Sequence, residues 1–134
     1  MPEGQVTEED LARMRRGFEL YNEGDYDALR DLVAEDILLE RVGDQEPIRG
    51  WEAFRAFQDP DAFEWQHLEP LEWSVNGEKV LVRLHIHTKG AGSGIELETD
   101  GWMVWTIRDG VGIHVINTTD EKRALEEFRA PAGM

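Results

Sequence analysis

Few residues in this chain have types and spacing that could do chemistry. His85-x-His87 places two imidazoles on one face of a strand, and Glu96 and Glu98 lie in the next apolar–polar alternation, so a mixed nitrogen–oxygen metal site is one reading. The other reading is a charge ladder on a solvated sheet face or a dimer surface. Gly90-Ala91-Gly92-Ser93-Gly94 has the composition of a phosphate loop. It precedes an alternating strand rather than a helix, so no helix N-terminus stands behind it, and it reads as a hairpin loop. His67 and His114 have no partner constellation in the sequence, and no Ser-His-Asp set is recognisable.

Composition narrows the field further. The 134 residues carry 29 Asp+Glu against 14 Lys+Arg, a net charge of −15. That disfavours a nucleic-acid binder, which needs a Lys/Arg face, and docking on anionic membrane lipid. With no Cys, disulfide scaffolds, thiolate zinc sites and Cys nucleophiles are excluded. No run reaches membrane-spanning length and the first ten residues are acidic, so a cytoplasmic protein is expected. The 40% apolar content and five Trp suffice for one core, so one domain over residues 1–134 is expected, ordered over about 6–128 and frayed over 129–134.

The elements that must position these residues come in two blocks. Leu11, Met14, Phe18 and Tyr21 form a helical stripe that Thr7 and Asp10 start and Asn22-Glu23-Gly24 stops. Asp25 is expected to cap a second short helix carrying Ala28, Leu29, Leu32 and Val33. A strand from Ile37 to Val42, a turn framed by Pro47 and Gly50, and a third helix with Trp51, Phe54, Phe57 and Gln58, ended by Pro60, complete the first block. The second block is β: Glu64–Val75 with Pro70 marking an edge or a bulge, the Asn76-Gly77 turn, Val80–Thr88, Glu96–Ile107, a turn at Arg108-Asp109-Gly110, and Ile113–Thr119. Asp120 caps a short final helix with Ala124, Leu125 and Phe128. The fold class is α+β, with helices covering one face of an antiparallel sheet.

Strand phase follows from the hairpins. Centring the Gly90–Gly94 loop pairs Arg83 with Asp100, His85 with Glu98 and His87 with Glu96, a ladder of opposite charges on one face. The second hairpin pairs Met103 with Val115, Gly101 with Asn117 and Thr99 with Thr119. The inner face is then Val82, Leu84, Ile86, Leu97, Thr99, Gly101, Met103, Trp105, Ile113, Val115, Asn117 and Thr119, none of them charged. Asn117 is either a structural amide satisfied by Thr99, Thr119 or water, or a ligand contact. On the outer face Trp102, Val104 and Ile116 make an apolar patch that suits a homodimer contact, with Arg83, His85 and His114 around it.

The segment Phe18-Glu-Leu-Tyr-Asn-Glu-Gly-Asp-Tyr-Asp-Ala-Leu-Arg-Asp-Leu-Val-Ala-Glu-Asp36 resembles the opening helices of the SnoaL-like branch of the NTF2-like superfamily. Ile48-Arg-Gly-Trp-Glu-Ala-Phe-Arg-Ala-Phe57 resembles its third helix, and Val104-Trp-Thr-Ile-Arg-Asp-Gly110 its penultimate strand and turn. The resemblance implies a cystatin-like cone: a strongly curved sheet wrapped around helices, with an apolar pocket inside and frequent dimerisation. Its members include ketosteroid isomerases, epoxide hydrolases, polyketide cyclases, dehydratases and binding proteins, so fold alone assigns no chemistry.

Carried over position by position, the resemblance removes two known chemistries. The steroid-isomerase tyrosine, base and protonated aspartate fall on Gly17, Arg41 and Met103, none of which can serve. The epoxide-hydrolase groups fall on Leu39, Arg41, Leu84, Ile86 and Asn117, and Asn117 cannot take a proton from water. In the family's phase Arg41 points into the cone, where it must snorkel to the rim, pair with Glu40, Asp44 or Glu46, or clamp an anionic ligand. Glu40 is one residue out of phase and should face away. The pocket implied is Gly17, Tyr21, Leu39, Arg41, Phe54, Phe57, Gln58, Val82, Leu84, Ile86, Thr99, Gly101, Met103, Trp105, Val115, Asn117 and Thr119. It would take a small hydrophobic or aromatic molecule, neutral or anionic, with no metal or cofactor. Turnover, if any, would be of isomerase, cyclase or dehydratase type, with Arg41, Asn117 and Glu40 as candidate groups. The alternative is a ligand-binding or dimeric assembly module without turnover.

Overall fold

The computed structural model describes residues 5–41, 46–58 and 63–130. Helix α1 (Glu8–Glu23) begins at a capping box: Thr7 Oγ1 accepts from the Asp10 amide at 3.1 Å, and Asp10 Oδ2 accepts from the Thr7 amide at 2.9 Å. It ends at Gly24, whose φ of 81° lets its amide turn back to the carbonyls of Leu20 and Tyr21. The second helix is not the α-helix expected. Residues Tyr26–Leu32 form a 3-10 helix and Asp25 makes no side-chain cap. The segment is one tight connection long, and the tighter helix covers more distance per residue. Val33 therefore leaves it and opens strand β1 (Val33–Glu40), earlier than the expected start at Ile37.

Strand β2 (Ile48–Arg49) pairs with β1, and helix α2 (Trp51–Gln58) follows from Gly50, whose carbonyl accepts from Phe54. The expected helix stop at Pro60, the strand end at Val42, and most of the frayed tail lie outside the described residues. Strands β3 (Phe63–Asn76), β4 (Lys79–Gly90), β5 (Glu96–Arg108) and β6 (Val111–Thr118) form a meander, and helix α3 (Glu121–Arg129) closes the chain. The six strands lie in the order β2-β1-β6-β5-β4-β3. Because β1 runs parallel to β6, the sheet is mixed rather than wholly antiparallel as expected. Pro70 lies on the edge strand β3, and the register shifts between Pro70 and Glu72, so the edge and the bulge both occur.

Both hairpin registers differ from expectation by two residues. Across β4–β5, Arg83 faces Trp102, His85 faces Asp100 and His87 faces Glu98. Across β5–β6, Met103 faces Asn117 and Trp105 faces Val115. The second turn is the two-residue Asp109-Gly110, with φ of 54° and 82°, the positive pair that matches the twist of two antiparallel strands. A displacement of two leaves every side chain on its expected face, because sheet faces alternate with period two. One residue escapes that rule. A bulge between Thr106 and Ile107 pairs Ile107 with Gly112, so Gly112 rather than Ile113 joins the inner wall.

The charge partners survive as diagonal contacts. Arg83 bonds Asp100 at 2.9 Å and Glu72 at 2.8 Å, His85 bonds Glu98 at 2.9 Å, and His87 meets Glu96 at 3.0 Å. Glu98, then Asp100, raise the His85 pKa by hydrogen bonding, and those carboxylates are lowered in return by their hydrogen bonds to His85 and Arg83 respectively.

The outer apolar patch has a partner within the chain. Leu81, Val104 and Ile116 are buried beneath Ala124 of α3, with Trp102, Leu125 and Phe128 around them. Asp120 Oδ1 caps the helix at the Lys122 amide, and Lys79 Nζ and Asn76 Nδ2 bond the carbonyls of Glu127 and Phe128 at its far end. Ile116, 3% exposed, is therefore not available to a second subunit as expected. Ala124 is fully buried, so Ala124→Asp should destabilise the fold by about 3 kcal/mol or more in urea titrations, by burying an unpaired charge. The His85 contribution has a raised folded pKa. It is complete below the ordinary value of 6.5 and lost as pH rises through the folded value. The melting-temperature gap between wild type and His85→Gln should therefore be largest below pH 6.5 and shrink as pH rises above it.

Candidate functional site

One face of α1 supplies a wall: Asp10, Arg13, Met14, Gly17, Phe18 and Tyr21 recur every three or four residues. Facing them across the concave side of the sheet are Val33 and Leu39 of β1, Met103, Trp105 and Ile107 of β5, and Gly112, Val115 and Asn117 of β6. Leu29 and Leu32 of the 3-10 helix, Leu68 of β3, and Phe54, Phe57 and Gln58 of α2 complete the enclosure. The space enclosed is about 100 Å³. Gly17 lets α1 approach Leu32 closely, since a Cβ there would come within 3.2 Å of Leu32 Cδ1.

The polar groups of the wall are few. Asp10 is held in the α1 cap, and Arg13 Nη1 donates to the Gly110 carbonyl at 2.9 Å, tying α1 to the β5–β6 turn. Gln58 donates to the Phe54 carbonyl within its own helix. Tyr21 is buried, and its hydroxyl accepts from Gln66 Nε2 at 2.9 Å, while Gln66 Oε1 accepts from Thr88. Burial raises the Tyr21 pKa above 10.0, against a smaller lowering by Gln66, so the phenol stays protonated at neutral pH. Two wall atoms are buried without any hydrogen-bond partner: Trp105 Nε1, a donor, and Asn117 Oδ1, an acceptor.

The structure divides the residues expected around a pocket. Gly17, Tyr21, Leu39, Phe54, Phe57, Gln58, Met103, Trp105, Val115 and Asn117 line the cavity. Val82 and Leu84 do not; they are buried in the core that Phe18 and Tyr21 close over β4. Ile86 packs against that core, and Gly101 is buried with the Ile86 methyl where a Cβ would stand. Thr99 and Thr119 are exposed, and neither is available to satisfy Asn117. The cavity thus occupies the β1–β6–β5 part of the sheet, because α1 fills the hollow over β4.

Arg41 is not part of the wall. Its Nη2 donates to the Glu46 carbonyl at 2.9 Å, and its guanidinium lies 5.3 Å from the Phe57 ring centroid. Phe57 lines the cavity and Arg41 does not, although Arg41 Nε is buried without a hydrogen-bond partner. Glu46 contributes its backbone rather than its carboxylate, and Asp44 lies outside the described residues. Glu40 faces away from the cavity and bonds His114 at 2.5 Å on the outer face. His85 and His87 lie on the outer face with their carboxylate partners, and among the described residues no three His, Asp or Glu side chains are grouped as metal ligands.

Sequence reasoning did not place Asp10, Arg13, Met14, Phe18, Leu29, Leu32, Val33, Leu68, Ile107, Gly110 or Gly112 on the wall. The α1 members continue the stripe through Gly17 and Tyr21, so helical periodicity could have found them. Gly112 depends on a bulge, and Leu68 on the path of β3 past Asn22, which bonds the Leu68 amide and carbonyl. Neither carries a local signal.

A curved, unclosed sheet enclosing helices around a cavity defines an NTF2-like cone. A profile of the SnoaL-like domain matches residues 14–113, and the chain belongs to that family. Among solved structures, 284 chains match, so the fold is too widely shared to name an activity. An NTF2-like protein of unknown function from Burkholderia pseudomallei K96243 superposes with a TM-score of 0.77 at 16% identity, over 92% of this chain and 100% of that one. A protein from Jannaschia sp. CCS1 assigned as a SnoaL-like polyketide cyclase gives 0.76 at 17% identity, over 98% and 99%. Rv0760c from Mycobacterium tuberculosis, in complex with estradiol-17beta-hemisuccinate, gives 0.71 at 20% identity, over 83% and 93%. No curated protein matches in sequence. Among the described residues no helix is long and apolar enough to cross a membrane.

A Cβ on Gly112 would stand 2.6 Å from Cζ3 and 2.7 Å from Cε3 of Trp105. Gly112→Ala should cost about 1–3 kcal/mol of stability in urea titrations and displace the indole, seen as a shift in its ring NMR resonances.

Proposed function

We propose that the protein binds one small, uncharged hydrophobic molecule, about the size of a single aromatic ring, in the cavity between α1 and strands β1, β6 and β5. The observation that carries this is the cavity itself: about 100 Å³ bounded almost wholly by apolar side chains, with its lone lining cation, among the described residues, committed to a backbone carbonyl. An apolar cavity of roughly 150 Å³ accepts benzene in other proteins, which sets the scale. Rv0760c is in complex with a steroid ester; the space of about 100 Å³ here favours a smaller guest.

The reading is binding rather than turnover. Isomerase, cyclase or dehydratase chemistry needs a group that can move a proton. Asp10 is the one acid of the described wall, and it is held by the helix cap at the rim. Arg41 stands outside the wall and Glu40 is engaged by His114, which supports a neutral ligand over an anionic one. A homodimer through the outer face would rest on Arg83, His85, Trp102 and His114, without Ile116.

Toluene titrated by calorimetry should bind the wild type and raise its melting temperature, the stabilisation reaching about 2.7 kcal/mol at a hundredfold excess over Kd. Gly17→Leu, which presses on Leu32 and fills the cavity from the helix side, should lose that binding, with its circular dichroism spectrum checked against the wild type. Retained binding in Gly17→Leu would place the ligand elsewhere.

A further inference from the structure

Two buried polar atoms in the cavity wall have no partner, Trp105 Nε1 and Asn117 Oδ1. A desolvated donor or acceptor left so is destabilising, because the hydrogen bonds it made to water are not replaced. The two atoms belong to adjacent antiparallel strands on one face. Trp105 faces Val115, and Asn117 is the next residue on that face of β6. Diagonal neighbours of this kind have Cβ atoms about 7–8 Å apart, within reach of an indole.

The orientation of the indole is fixed by its contact with Gly112. The Cε3–Cζ3 edge occupies the space where a Gly112 side chain would lie. The opposite edge, which carries Nε1–H, is therefore turned away from Gly112. Gly112 and Asn117 lie on opposite sides of Val115 along β6, so an N–H edge turned away from Gly112 is not directed at the Gly112 end of the strand.

The buried unpartnered atoms of the wall are thus one donor and one acceptor, while its charged residues, Asp10 and Arg13, are held by the α1 cap and the Gly110 carbonyl. A carboxylate would satisfy Trp105 but repel the Asn117 carbonyl. An ether or ketone accepts from Trp105 and leaves Asn117 unpaired, and an alkyl group pairs with neither. A hydroxyl is the smallest group that accepts from the indole and donates to the amide. Resting on the binding reading above, we propose that the ligand is a small neutral alcohol or phenol whose hydroxyl bridges Trp105 Nε1–H and Asn117 Oδ1, with its apolar body against Leu39, Phe54 and Val115.

The test is calorimetric titration with phenol, anisole and toluene, which differ in the hydroxyl and little in shape. The wild type should bind phenol at least tenfold more tightly than either of the others. Trp105→Phe and Asn117→Leu should each reduce that preference at least fivefold, read as the ratio of phenol to toluene affinity within each variant. Toluene bound as tightly as phenol by the wild type would overturn the hydroxyl assignment, leaving the pair to water, while the cavity would still stand as a binding site. Failure of all three probes to bind would overturn both readings.

Discussion

The indole of Trp105 lies on the bare Cα of Gly112, and the cavity exists on the terms which that contact sets. A side chain at Gly112 would force the largest ring of the wall to shift. The contact needs three things from the chain. The Asp109-Gly110 turn fixes the phase of β6 against β5, the bulge beside Ile107 brings Gly112 rather than Ile113 to the inner face, and the parallel pairing of β1 holds Val33 opposite Gly112. Each is a backbone feature, and together they decide where an aromatic side chain can lie flat.

Charge is partitioned by the same geometry. The outer face carries Arg83, His85 and His87 with their carboxylates, and the outer side of β1 and β6 carries Glu40 and His114. These pairs sit in water, where each contributes little, and their role is to keep one sheet face solvated. Inside, Asp10 and Arg13 are committed to the helix cap and a backbone carbonyl, and the remaining polar groups are neutral, which a low-dielectric cavity makes consequential. A wall of this kind discriminates ligands by unmet hydrogen bonds more sharply than by fit. The surplus of acid in the composition therefore says little about what the cavity accepts.

The relation to other SnoaL-like proteins supports the same division. The cone is common to proteins that share a fifth or less of their residues with this chain in the comparisons above. The architecture tolerates such divergence because the sheet and helices need only apolar volume and the right alternation. The chemistry does not share that tolerance. It rests on individual wall positions, Gly17 and Met103 among them here.

The sequence by itself determined the fold class, the face of nearly every central-strand residue and the pairing of opposite charges on the outer side. Those properties follow from period-two alternation, turn residues and capping pairs, all local, and they survived a displacement of both hairpin registers by two. Only the tertiary structure decided which inner-face residues meet empty space. Val82 and Trp105 are indistinguishable by alternation; α1 covers one and leaves the other beside a cavity. Arg41 stands in the phase of an inward residue, yet a carbonyl from Glu46 and the ring of Phe57 hold it outside. Those outcomes depend on how distant segments fill a shared volume, and no local pattern encodes that sum.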